Sequence, residues 1–243
     1  MSQSVLLHNL EHKDLRVITE RGAAYGDDVM FSLTFPQEFR QVQAHYPIVF
    51  RATDDAAGFE ALALFGFETG ENLFLGSPES PGWDAHYIPL NIERRPFLIG
   101  RHGDELNIHI DLAHPRVSRT TGQELFLPFG GTSPYLERIQ SVLLTLHQGL
   151  QAMPAFIAAL REHALLESFV ADIELENGAQ HRLMGFHTIN EERLQALSGA
   201  ALDSLHRAGH LEPIYMAVAS LSHFRDLIAR RERRGRRESI RAA

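Results

Sequence analysis

The 243-residue chain contains no cysteine. That absence excludes disulfides, thiolate nucleophiles, zinc–thiolate sites and iron–sulfur clusters. Lysine occurs once, at Lys13, against 22 arginines; the imbalance reads as GC-rich codon usage rather than chemistry. The N-terminus lacks a basic start followed by an apolar run, so no secretory signal is expected. No window is expected to reach the roughly 20 apolar residues of a membrane helix, and the chain reads as cytoplasmic. No dinucleotide-binding or phosphate-loop glycine pattern occurs. Ser118, Ser133 and Ser220 lack the glycines of a nucleophile elbow. No cofactor is expected on these grounds.

What is present is enough apolar sequence, 44% of residues, to bury a full core. The formal charge of −8 hides an asymmetry. From Arg225 onward there are 8 arginines and 3 acids, whereas residues 1–224 carry 15 basic and 28 acidic residues. An acidic body does not suit nucleic acid. The arginine run from residue 229 reads either as a solvated helix end or as a contact for an acidic partner or anionic surface.

The first half reads as strands. HYPIVFR (45–51), GFEALALFGFE (58–68) and ENLFLG (71–76) are strand candidates, with a turn at Gly70-Glu71 between the last two. AHYIPLNI (85–92) and RPFLIG (95–100) read as strand pieces. Leu106, Ile108, Ile110 and Leu112 alternate with Asn107, His109 and Asp111, which share the opposite face. QELFLPFGG (123–131) closes this half. Helical spacing then takes over. Ser133 caps a helix opening at Pro134, and Pro154 opens a second one, making a helical hairpin around Gly149. A β-hairpin follows, with its turn at Asn177-Gly178. Asn190 or Thr188, then Ser198, cap two further helices, and Pro213 opens the last. The expected fold class is α+β: a β-rich N-terminal half (about 41–131) packed with an α-rich C-terminal half (about 133–235) that carries one hairpin. It is read as one domain over 1–243, with a basic tail at 229–243.

The stretch Tyr87-Ile-Pro-Leu-Asn-Ile-Glu-Arg-Arg-Pro-Phe97 has no simple amphipathic account. Paired arginines suit carboxylate or phosphate recognition. Arg94 and Arg95, with Trp83, Tyr87, Phe97 and Asp111, are therefore the candidate edge for a protein partner or a small anionic ligand. The bland alternative is internal ion pairing. A second constellation is His109 and Asp111 on one strand face with His187 downstream, the residue types of a 2-His-1-carboxylate iron site. With 14 histidines such pairs arise easily. His206 and His210 have metal-ligand spacing, but Gly209 is expected to break the helix between them. Asp172, Glu174 and Glu176 read as the solvated face of the hairpin.

YIPLNIERRPFLIG, IHIDLAHPRVS, GQELFLPFG, GFHTINEERLQALSGAALDSLHRAGHL and IYMAVASLSHFRDL, in this order, resemble the bacterial SapC family. The likeness also takes in HYPIVFR and ALFGFETGENLFL, and so most of the chain. Arg94-Arg95-Pro96-Phe97 looks like the family's Arg-Arg-Tyr-Pro-Phe pattern without its tyrosine. Asp111 matches a family aspartate, whereas His109 does not look like a family position. The resemblance implies no established activity and no catalytic residue. It implies a setting in surface-protein export or outer-membrane uptake. Taken together, the expectation is an accessory protein that acts by binding rather than catalysis; the alternatives are a non-haem Fe(II) oxygenase-like enzyme using His109, Asp111 and His187, or a binding module for a small anionic ligand.

Overall fold

A computed structural model of the protein describes residues 4–54, 58–77, 80–102, 105–174 and 180–242. The strands in chain order are β1 (Ser4–Leu6), β2 (Arg16–Val17), β3 (Phe31–Thr34), β4 (Ile48–Ala52), β5 (Phe59–Leu64), β6 (Leu75–Ser77) and β7 (Ser80–Trp83). They continue with β8 (Phe97–His102), β9 (Glu105–Asp111), β10 (Val117–Ser118), β11 (Gln123–Glu124), β12 (Leu166–Glu174) and β13 (Gln180–Ile189). The helices are α1 (Phe39–Val42), α2 (Leu90–Glu93), α3 (Pro134–Glu162), α4 (Glu191–Gln195), α5 (Gly199–Arg207), α6 (Leu211–Ser220) and α7 (Phe224–Ala242). The chain forms two compact units and passes back and forth between them. One holds Met1–Asp28, Leu75–Asp84 and Leu90–Gln148; the other holds Val29–Phe74, Ala85–Pro89 and Gly149–Ala243.

In the first unit β1, β9 and β8 make an antiparallel sheet in that order. The alternation read at Leu106–Leu112 produces β9, and Ile110 on its apolar face is fully buried. Ile110 and Phe97 join Leu15, Val17 and Leu125 in a core closed by Leu136, Ile139 and Leu143 of α3. Ser133 starts α3 as expected, its Oγ accepting the Leu136 N–H at 3.2 Å. Two smaller sheets complete this unit, β10–β2–β11 and the ribbon β6–β7.

In the second unit β12, β13, β4, β5 and β3 form one antiparallel sheet. The C-terminal hairpin thus extends a sheet begun by the N-terminal half, and the fold is α+β. Phe39, Phe50 and Phe156 pack edge to face or tilted over this sheet, 5.9–6.4 Å between centroids. Asn190 and Ser198 cap α4 and α5 by accepting the N–H groups of Arg193 and Ala201. The turn expected at Asn177-Gly178, and Glu176 beside it, lie outside the described residues.

Several expectations are corrected. The helical hairpin around Gly149 is one 29-residue helix, α3, running through both Gly149 and Pro154. The apolar spacing continues across Pro154 as Met153, Phe156, Ile157 and Leu160, all buried. That burial outweighs the hydrogen bond a proline cannot donate. Gly149 is required there because the Phe35 ring would lie 2.1 Å from any Cβ. α3 is also long and apolar enough to cross a membrane by length and composition, contrary to expectation; Leu136, Ile139, Leu143, Leu146, Phe156 and Leu160 are buried, whereas Leu144 and Leu150 are exposed.

ENLFLG is mostly turn, and β6 pairs with β7 rather than with β5. AHYIPLNI holds no strand: Tyr87–Pro89 is irregular, and α2 follows. A short apolar run fits either period, and Pro89 stands just before the first helical turn. QELFLPFGG keeps strand pairing only at Gln123–Glu124, plus a bridge from Phe126 to Thr132. The last helix is two, α6 and α7, joined by a 3-10 turn at Leu221–His223. The arginine run is helical and engaged with its own unit. Arg231 pairs with Glu71 at 3.1 Å, Arg234 Nη1 donates to Asn72 O at 3.2 Å, and Arg230 lies 4.3 Å over Phe74.

Candidate anion-binding site

Gly26 adopts a left-handed conformation (φ 74°) at the end of the 3-10 turn Ala23–Tyr25, and this turns Asp27 inward. Asp27 is fully buried and accepts the Gly22 N–H at 3.0 Å. Arg116 reaches it from a turn in which His114 N donates to Asp111 O and Val117 N donates to His114 O. Arg116 Nη2 donates to Asp27 Oδ2 at 2.5 Å, with the two side chains 1% and 0% exposed. Its Nη1 donates to Ile18 O at 2.8 Å and Glu20 O at 2.6 Å. The Tyr25 ring lies 5.2 Å from its Cζ.

Two more guanidiniums converge here. Arg21 Nη1 stands 3.6 Å from Asp27 Oδ1 and donates to Ile92 O at 3.3 Å. Arg95 Nη1 donates to Gly26 O at 2.5 Å. Three guanidiniums therefore surround one buried carboxylate, Asp27, with the exposed Asp28 also acting on Arg95. Burial pushes the Arg95 and Arg116 pKa values down; neighbouring Arg21 adds to this in both, while Asp27 opposes it. Arg116 Nε is buried without a hydrogen-bond partner among the described residues. Tyr135, from the first turn of α3, borders the group. Burial raises its hydroxyl to about 12, against the lowering influence of Arg21 and Arg116. A neutral phenol beside surplus cationic charge is a hydrogen-bond donor for an anion.

His114 belongs to the same group. Burial, then Arg116 and Arg95, hold its pKa below 6.5. The folded chain thus binds fewer protons than the unfolded chain between that depressed value and 6.5. Stability is full above 6.5 and falls as pH drops through the window. His45 and His210 are depressed by burial and act in the same direction. The His114→Gln protein is expected to lose less stability than wild type between about pH 7.5 and pH 5. Urea denaturation midpoints at the two values check this, and equal losses would contradict it.

The residues singled out in the sequence scatter. Arg94 is half-buried rather than part of an exposed edge: Nε donates to Asn91 Oδ1 at 2.9 Å and Nη1 to Phe97 O at 2.7 Å. Burial, then Arg95, lowers its pKa. Arg95 is half-buried too, but it faces the Asp27 cluster. The Arg95–Pro96 peptide is cis. Phe97 is wholly in the core. Asp111 lies beside this turn, its N–H donating to Pro96 O at 3.2 Å and its Oδ1 accepting from Ala113 N. Trp83 sits half-buried on β7 opposite Leu75. Tyr87 belongs to the second unit, where its hydroxyl donates to Glu38 Oε1 at 2.8 Å and its carbonyl accepts from Tyr46.

His109, Asp111 and His187 do not form an iron triad. His109 fills the space that a Cβ on Gly100 would occupy. His187 belongs to the second unit and packs edge-on to Phe59 at 4.9 Å. Among the described residues no three His, Asp or Glu side chains gather to hold a metal. His206 lies on α5 and His210 just before α6, parted at Gly209 as expected. Asp172 is exposed and pairs with Arg182 across the hairpin at 3.4 Å, while Glu174 is exposed.

Asp27, Arg116, Arg21, Tyr135 and His114 were not singled out in the sequence. Arg116 and His114 lie within IHIDLAHPRVS, but nothing local pairs them with a residue 89 positions away.

No curated protein and no solved structure matches the chain. The SapC family model matches residues 7–227, which take in both units and every residue of the arginine cluster. The chain belongs to the SapC family.

Proposed function

We propose that this SapC-family protein acts by binding rather than by catalysis, and that the group it takes is a carboxylate, held at the Arg21–Arg95–Arg116 cluster. The observation that supports this is the charge imbalance: three guanidiniums, one buried carboxylate, and donors to spare. Among the described residues the Arg95 guanidinium makes a single hydrogen bond, to Gly26 O. A planar fork with free N–H groups is shaped for a second carboxylate. The same anion would offset the repulsion that Arg21 exerts on Arg95 and Arg116. In the setting the family resemblance implies, surface-protein export or outer-membrane uptake, the carboxylate belongs to a protein partner's chain terminus or to a small acid being handled. The role is that of an accessory protein.

A thermal-shift screen tests this with three sets of probes: small mono- and dicarboxylic acids, inorganic phosphate, and one short peptide with a free or an amidated C-terminus. Carboxylates are expected to raise the melting temperature. A probe at 100 times its dissociation constant adds about 2.7 kcal/mol. If the free peptide works and its amide does not, the partner is a chain terminus; if small acids alone work, it is a metabolite. Failure of every acid would refute the reading.

A further inference from the structure

The sheet β1–β9–β8 and the first half of α3 do not close fully on each other. Between them the first unit keeps a cavity of about 420 Å³. Leu7, Ile99 and Ile108 form its sheet wall, and Leu136 and Leu143 its helix wall. Leu6, Leu106 and Leu144 also line it, and they remain 49%, 42% and 49% exposed. Apolar surface is thus left in contact with water on both walls of one concave space.

Among the described residues the lining contains no charged side chain. Its polar members are Asn107, Thr132 and Gln140. Thr132 donates to Glu137 at 3.3 Å, whereas the Gln140 side chain makes no hydrogen bond among the described residues; Asn107, on the opposite face of β9 from Leu106 and Ile108, borders the space from the strand. An ion entering would lose its hydration with nothing to replace it. An aliphatic chain would gain dispersion contacts along both leucine-rich walls and remove their surface from water. The Gln140 amide on the helix wall matches a neutral head group that both donates and accepts. The volume falls in the ordinary range of small-molecule sites, roughly 300–1,000 Å³.

We propose that this cavity is a binding site for an uncharged small molecule with an aliphatic chain and one amide or hydroxyl head. The site is separate from the arginine cluster and opposite to it in ligand charge, so the two stand or fall independently.

Displacement of the neutral dye Nile red tests the proposal, using straight-chain primary amides of increasing length. The carboxylates and alkylammonium ions of the same lengths serve as comparison. Amides are expected to compete saturably, more tightly with each added methylene until the cavity is full, and at least about tenfold more tightly than the matching ions. Leu144→Arg places a charge on the exposed helix wall and is expected to weaken amide binding by at least about tenfold. Arg95→Ala is expected to leave amide binding unchanged. Should Leu144→Arg fail to fold, Leu106→Arg on the opposite wall makes the same test. The proposal is overturned if no amide competes, if the folded variant binds like wild type, or if the ions bind as tightly as the amides. Partition into phosphatidylcholine vesicles, or self-association abolished by Leu144→Arg, in place of saturable amide binding would also overturn it.

Discussion

Asp27→Ala is expected to destabilise the protein by about 3–5 kcal/mol, because it leaves a buried guanidinium without its counter-charge. Arg116 is 1% exposed and cannot swing into water. Its Nη2 would lose a hydrogen bond to a full carboxylate, and Arg21 would lose its ion pair with Asp27. Three cationic groups would then stand together with the exposed Asp28 as the carboxylate acting on Arg95. The loss measures the penalty for breaking the pair, not what the pair is worth against apolar residues. The double variant Asp27→Asn, Arg116→Met should therefore recover part of it. Recovery will be incomplete, since the Ile18 and Glu20 carbonyls also lose their donor. Urea denaturation of the two variants checks this. A change below about 1 kcal/mol for Asp27→Ala would mean the pair is solvated, against its burial.

Phe156→Ala and Pro154→Ala, two positions apart on α3, are expected to move stability in opposite directions. Phe156 is fully buried and meets the rings of Phe39, Phe50 and His210 at 5.5–6.4 Å. Truncation there removes a large apolar transfer term and leaves a cavity among rigid rings, a loss of about 3–5 kcal/mol. Pro154 is exposed and has no N–H to give the Leu150 carbonyl. Alanine restores that bond and relieves the ring's clash with the preceding turn, a gain of about 1–3 kcal/mol. Thermal and urea unfolding read both. Destabilisation by Pro154→Ala would show that α3 depends on the proline, as two helices meeting there would.

The parts of this fold that could be read in advance are those with a local cause. Leu106 to Leu112 alternates because one face of β9 is core. Ser133, Asn190 and Ser198 stand before helices because their oxygens accept otherwise unsatisfied N–H groups. Where two local rules compete, the sequence misleads. Pro154 signals a helix start, yet the apolar stripe on either side is one stripe, and burial of Phe156 and Leu160 decides the matter. The candidate site shows the same limit. Arg95 drew notice because it sits in an odd local sequence. Asp27, Arg21 and Arg116 carry no local oddity, and Arg116 reaches Asp27 across 89 residues of sequence. Of the aromatic neighbours of Arg95 in sequence, Phe97 is buried in the core of the first unit and Tyr87 belongs to the second.

On the proposed reading, the guanidinium charge around Asp27 receives a carboxylate, with Arg95 supplying free donors. Isothermal titration of the best carboxylate from the screen into wild type and Arg95→Ala tests it most directly. Loss of charge-assisted hydrogen bonds worth about 1.5–3 kcal/mol should weaken binding about 10- to 100-fold in the variant, with folding shown intact by an unchanged circular dichroism spectrum. Equal affinity in the two proteins, or no carboxylate heat in wild type, would contradict the account.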